Sequence, residues 1–179
     1  MKRINKNSYL IIDGYNIINA WDQLKDLSKD DLEGAREKLI HYIIEYAQYT
    51  GKKAIVVFDA YNVKNSKEKI EKRKYITIVY TKEHQTADSY IEKYISSLSK
   101  YDHIEVATSD YAEQQIILGK GAARISAREL KLYIDSTMVK IKEEQQKHKQ
   151  KIQRNFLEER LDKEILSKLE NIRRKHWNH

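Results

Sequence analysis

Four short apolar runs, separated by stretches of helical period, restrict this chain to a small set of folds. They occupy residues 9–12 (behind Ser8), 54–58, Ile76–Tyr80 and His103–Ala107, with a short fifth at 122–125. Each is bounded by polar or turn-forming residues and is too short for a helix, so each reads as a buried strand. The first ends at Asp13-Gly14, which reads as a turn. Between the first two runs Ala35, Leu39, Ile43 and Ala47 recur every fourth residue, with Ile40 and Ile44 beside them, and Gly51 ends that helix. Residues 87–98 and 111–118 form shorter amphipathic patterns. Strands alternating with helices build βαβ units, which predicts a three-layer α/β/α sandwich around a mostly parallel sheet.

No proline, internal repeat or glycine-rich linker interrupts residues 8–135, which read as one domain spanning 1–135. Beyond it the texture changes. Ser126-Ala-Arg-Glu129 has capping-box spacing and opens a helix carrying Leu130, Ile134, Met138 and Ile141. Residues 142–151 contain no apolar side chain, and periodicity then resumes at Ile152, Phe156, Leu157, Leu161, Ile165, Leu169 and Ile172. A C-terminal helical extension over 136–179 is expected, with 142–151 as the place for a bend.

Charge follows the same division. The chain carries +7, of which 136–179 hold twelve Lys/Arg against seven Asp/Glu, leaving the rest near neutral. A basic tail on a near-neutral body suits a polyanionic partner, and equally suits plain solubilisation of exposed helices. The absence of cysteine excludes thiolate zinc sites, redox dithiols and a cysteine nucleophile, and fits a reducing compartment. No run is long enough for a secretory signal or a membrane span. A cytoplasmic protein with no membrane association is the expectation.

Asp13, Asp59 and Asp110 follow directly or closely on predicted parallel strands, whose ends share one edge of an open α/β sheet, where ligands bind. Asp88 lies two residues beyond Thr86, a candidate helix N-cap, and can face that edge from a helix start. Two carboxylates about 4 Å apart repel by roughly 4 kcal/mol at an effective dielectric near 20. Such a group needs protons or a cation. With no cysteine, and no histidine within these motifs, the donors are hard oxygens, which select Mg²⁺ or Mn²⁺ over zinc. A metal held this way suits phosphodiester hydrolysis. Singly, each aspartate also fits a turn or a helix start; four at one edge favour the functional reading.

The stretch Asp13-Gly-Tyr-Asn16 with Ile17-Ile18 resembles the opening motif of NYN domains, a branch of the PIN-like nucleases. Val57-Phe-Asp59, Thr81-Lys-Glu83, Thr86-Ala-Asp88, Thr108-Ser-Asp-Tyr111, Gly121-Ala122 and Ser126-Ala-Arg-Glu-Leu130 continue it in order. The order and spacing are similar to the YacP-like group, over 8–135 closely and 161–174 more loosely. The resemblance implies a metal-dependent endoribonuclease acting on single-stranded RNA. The group's characterised member, a ribosome-associated mRNA endonuclease, extends this to mRNA on the translating ribosome. It also implies that Asp13 and Asp88 are the principal metal ligands and that Asp59 and Asp110 complete the pocket. Asn16 would order the pocket through its amide, or serve only as a turn or cap residue. Ser89 stands where the family pattern suggests a second acidic residue, which leaves the number of metal ions open.

Two basic segments could carry phosphates toward the acidic centre: Lys64, Lys67, Lys69, Lys72, Arg73 and Lys74, and Lys120 with Arg124. The first reads equally as an ordinary exposed loop. Arg128 joins them as a candidate RNA contact, and Gly119 reads as a helix C-cap. Tyr15, Tyr61 and Tyr111, each just past a strand-end aspartate, could stack unpaired bases or simply pack. Two readings from other classes stay open. A non-catalytic RNA- or ribosome-binding module would bind without turnover. A metal phosphohydrolase of small nucleotides would work without the basic segments. The sequence leaves the oligomeric state undetermined.

Overall fold

In the computed structural model the described residues are 7–59, 67–109, 119 and 121–176, with side chains to 153 and thereafter at 165, 167, 168 and 171. Lys64, Tyr61, Asp110, Tyr111, Lys120 and the pattern at 111–118 lie outside them. Among the described residues six strands form one sheet: β1 (Ser8–Asp13), β2 (Lys53–Phe58), β3 (Lys69–Arg73), β4 (Ile76–Tyr80), β5 (His103–Ala107) and β6 (Ala123–Ile125). Five helices accompany them: α1 (Gly14–Ala20), α2 (Asp22–Asp30), α3 (Leu32–Thr50), α4 (Ala87–Ser97) and α5 (Ala127–His176). The sheet order is β3-β4-β2-β1-β5-β6, parallel throughout except for β3 against β4.

Side-chain alternation along the strands divides the core. Leu10, Ile12, Val56, Phe58 and Ile78 face α1–α3 and the first turns of α5, which add Ile17, Leu39, Ile43, Leu130 and Ile134. Ile11, Ile55, Val57, Val79 and Val106 face α4, which supplies Ile91 and Ile95. A sheet buried on both faces must carry apolar residues at consecutive strand positions. That is why these strands appear in the sequence as unbroken apolar runs. Trp21 donates its indole N–H to the Ala127 carbonyl at 2.9 Å, tying the α1–α2 junction to the start of α5.

The terminators follow local chemistry. Gly51 takes a left-handed conformation (φ 71°) and its N–H reaches the Ala47 carbonyl at 2.9 Å, closing α3. Ser126 and Glu129 form the reciprocal capping box at the head of α5.

Three local expectations are corrected. Asp13-Gly14 is no turn, because α1 begins directly at Gly14 with Asp13 as its cap. The segment before β4 is not a loop throughout, since Lys69–Arg73 adds an antiparallel edge strand. The left-handed glycine of the second basic segment is Gly121 (φ 76°), not Gly119.

The chain divides into two compact units, 1–138 and 139–179. The second is helical through His176, with Val139, Ile152 and Ile165 more than half exposed. No helix among the described residues is long and apolar enough to cross a membrane.

Candidate active site at the carboxyl edge of the sheet

Successive crossovers run from β1 toward β2 and β4 on one side, then from β4 back past β1 to β5 on the other. The strand order therefore reverses between β1 and β5, and a crevice opens beyond their carboxyl ends. Asp13 ends β1 at this point. Its Oδ1 accepts the backbone N–H of Asn16 at 3.1 Å, as an N-cap should. Asn16 spans the crevice, its Oδ1 accepting the N–H of Ser109 just beyond β5 at 2.8 Å. The amide thus pins the two sides of the switch point together.

Asp59 follows β2 immediately, and the hydroxyl of wholly buried Thr81, just past β4, approaches its Oδ1 at 3.5 Å. Asp88 stands in the first turn of α4, behind the Thr86 cap whose side chain accepts the Ser89 N–H at 3.2 Å. The three carboxylates come from three separate elements, and the charges of Asp59 and Asp88 both reach Asp13. Burial pushes the Asp13 carboxyl up from 3.8 to about 6, and the charges of Asp88 and Asp59 add to that. The backbone N–H groups of Asn16 and Tyr15 oppose it.

Gly14 shows how tightly this corner is built. A Cβ there would lie 2.3 Å from the Phe58 ring, so only glycine fits between the Asp13 cap and the end of β2. Tyr15 packs edge-on against Phe58 at 5.3 Å and accepts a hydrogen bond from Arg36 at 3.2 Å. It is half-buried and engaged in packing. Among the described residues no three His, Asp or Glu side chains close into a complete metal cage.

The basic residues fall into two places. Arg124 on β6 and Arg128 in the first turn of α5 are exposed. Arg128 lines a cleft of about 560 Å³ with Ser109, Ser126 and Trp21, beside the carboxyl ends of β5 and β6. Lys72, Arg73 and Lys74 do not border the aspartates. β3 runs antiparallel, so Lys69 pairs with Tyr80 at the carboxyl edge while Arg73 pairs with Ile76 at the opposite edge. Arg73 is also held by Glu37 through two hydrogen bonds of 2.9 and 3.0 Å.

Sequence reading passed over two polar residues here. Arg36 lies 5.9 Å from the Tyr80 ring centroid and pairs with Glu33, while its Nε is buried without a partner. Gln85, in the turn between β4 and α4, has a buried Oε1 in the same condition. Neither belongs to a motif; only the folded packing distinguishes them from surface residues.

This fold and its acidic crevice put the chain in the PIN-like, nuclease-related class of α/β proteins. More narrowly, residues 10–174 match the model of the YacP-like NYN domain, and the chain belongs to that family. It is 50% identical over 122 residues to the "Uncharacterized protein YacP" of Bacillus subtilis, covering 68% of this chain and 71% of that one. The crystal structure of Rae1 (YacP) from Bacillus subtilis superposes with a TM-score of 0.71 at 41% identity, covering 93% of this chain and 94% of that one. A crystal structure of a mutant form of the same Bacillus subtilis protein superposes at 0.64 with 43% identity, covering 75% of this chain and 79% of that one.

Proposed function

We propose that this protein is a cytoplasmic, divalent-metal-dependent endoribonuclease that cleaves single-stranded RNA, with mRNA on the translating ribosome as its substrate. Membership of a nuclease-related family supports the reaction class. The observation that carries the metal reading is Asp13, half-buried at the switch point under the negative charge of both Asp88 and Asp59. A cation relieves that repulsion, and an all-oxygen donor set fits Mg²⁺ or Mn²⁺.

Asp13 and Asp88 would be the principal ligands, with Asp59 and Asp110 completing the set. When bound, such an ion supplies charge neutralisation at a scissile phosphate and a more acidic water. The protein's part is to fix the geometry. Asn16 holds the β1 and β5 sides of the crevice at a set spacing, and Thr81 steadies Asp59. Arg124 and Arg128 offer cations to the RNA backbone beside the acidic centre, where a polyanion would otherwise be repelled.

The test is cleavage of naked and ribosome-engaged RNA by the purified protein, in Mg²⁺, in Mn²⁺ and in chelator. Metal-dependent cleavage that Asp13→Asn abolishes is expected. Wild-type turnover in that variant would overturn the assignment of the site.

A further inference from the structure

The amino edge of the sheet, far from the aspartates, is built as a basic cleft. It encloses about 500 Å³ between the start of β2, the end of β3 and the turn into β4. Lys53, Lys72 and Lys74 border it, all exposed, and none is ion-paired with a carboxylate among the described residues. The acids nearby are already engaged: Glu105 holds Lys52, Glu37 and Glu71 hold Arg73, and Asp102 accepts from Asn7 and from the Ser99 N–H. The free ammonium groups are steadied without being neutralised. Lys53 donates to the Asn7 side-chain carbonyl at 3.0 Å and lies 5.4 Å from the Tyr9 ring centroid, and Lys74 lies 5.0 Å from that of Tyr75.

We infer that this cleft is a second RNA-binding surface, which takes backbone phosphates of the same RNA whose cleavage is proposed at the carboxyl edge. Exposed lysines without carboxylate partners suit sequence-independent phosphate contacts. Half-buried Tyr9, Tyr75 and Tyr94 line the same cleft, so aromatic rings lie beside the lysines, the combination that single-stranded RNA uses for base stacking next to backbone contacts. β1 has six residues, so the two edges stand roughly 17–20 Å apart. An RNA held at both edges must therefore run along the side of the domain. The inference rests on the RNA reading of the protein but not on its catalytic chemistry.

The experiment compares the full chain with a triple variant, Lys53→Gln, Lys72→Gln and Lys74→Gln. Binding of a labelled, unstructured RNA of about thirty nucleotides is measured in chelator across a salt series. Three lost phosphate contacts should weaken binding by on the order of tenfold. They should also flatten the slope of log K against log salt by about 2. Cleavage of an RNA of about three nucleotides, spanning roughly 10 Å at ~3.4 Å per nucleotide and so too short to reach both edges, should proceed equally in both proteins. An unchanged affinity and slope overturns the inference even if the enzyme cleaves. Absent cleavage with an altered slope removes the nuclease reading and leaves the surface. A triple variant that binds RNA normally but loses polyglutamate would mark an acidic-protein site, and the inference falls. The exposed positions should leave the melting temperature within a degree or two of wild type; a larger drop calls for Lys72→Gln with Lys74→Gln alone, which should show two thirds of the slope change, and an unaltered slope in that pair overturns the inference as well.

Discussion

Asp13 has two duties that oppose each other. As the cap of α1 its oxygen must face the backbone, which buries it, while burial beside Asp59 and Asp88 disfavours its charge. A carboxyl at about 6 in the fold and near 3.8 in the unfolded chain adds stability below pH 4, and this is lost as pH rises through 6. The charged form is disfavoured by about 3 kcal/mol at most. Asn caps as well as Asp does. Asp13→Asn should therefore raise the melting temperature of chelator-treated protein at pH 7.5 and leave it unchanged at pH 4, while abolishing cleavage. A melting gain equal at both pH values would show that carboxylate repulsion is not its source. Gly14 belongs to the same corner. Gly14→Ala must displace a Phe58 ring already packed between Tyr15 and Tyr80, at a cost of about 1–3 kcal/mol. Urea unfolding should register that loss, and turnover should fall with it because Phe58 precedes Asp59; full stability would mean the backbone yields freely there.

At the scale of elements, the start of α4 is where stability and chemistry meet. Thr86→Ala removes the acceptor for the Ser89 N–H and should cost about 1 kcal/mol. It should also lower turnover by loosening the turn that carries Asp88, and Thr86→Ser should restore both in parallel unfolding and cleavage measurements. Loss of stability with turnover intact would separate the cap from the site. Much of this frame is legible in the sequence because burial on both faces imposes unbroken apolar runs on β1, β2 and β4. Gly51 and Ser126–Glu129 mark their helix ends by local chemistry alone. β3 is not legible: Lys-Ile-Glu-Lys-Arg carries the charges of an exposed edge strand, and charge hides a strand's alternation. α1 and α2 are hidden for another reason. Gly14, Asn16 and Asn19 are poor helix formers, and it is burial of Ile17, Ile18 and Leu24 that holds those turns. The strand-end aspartates could be read from topology. The place of Lys72 and Lys74 could not, because it depends on β3 running antiparallel.

Across the whole molecule, charge is distributed along the strand direction of the first unit, with carboxylates at one edge and free lysines at the other. A further excess of five positive charges lies in 136–179. Residues 142–151 are exposed and contain no apolar side chain, as befits a helix that meets solvent or a charged partner. A chain ending after Lys142 should keep the 1–138 unit, and with it metal binding and slow cleavage of free RNA, while losing ribosome association. Co-sedimentation of the shortened chain with ribosomes as complete as that of the full chain would locate ribosome docking on the first unit.

The position of β1 at the centre of the sheet also sets an order in time. β1 is made first, yet one of its two neighbours, β5, is synthesised about ninety residues later. Until then Leu10, Ile11 and Ile12 present one row of unsatisfied backbone groups beside an apolar surface, the kind of edge on which partly made chains join one another. Closing the crevice between β1 and β5 is therefore a late event of folding as well as the origin of the site. Pairings this distant in sequence are slow to form. The nascent chain has no assembled acidic centre until most of its first unit has left the machinery that makes it.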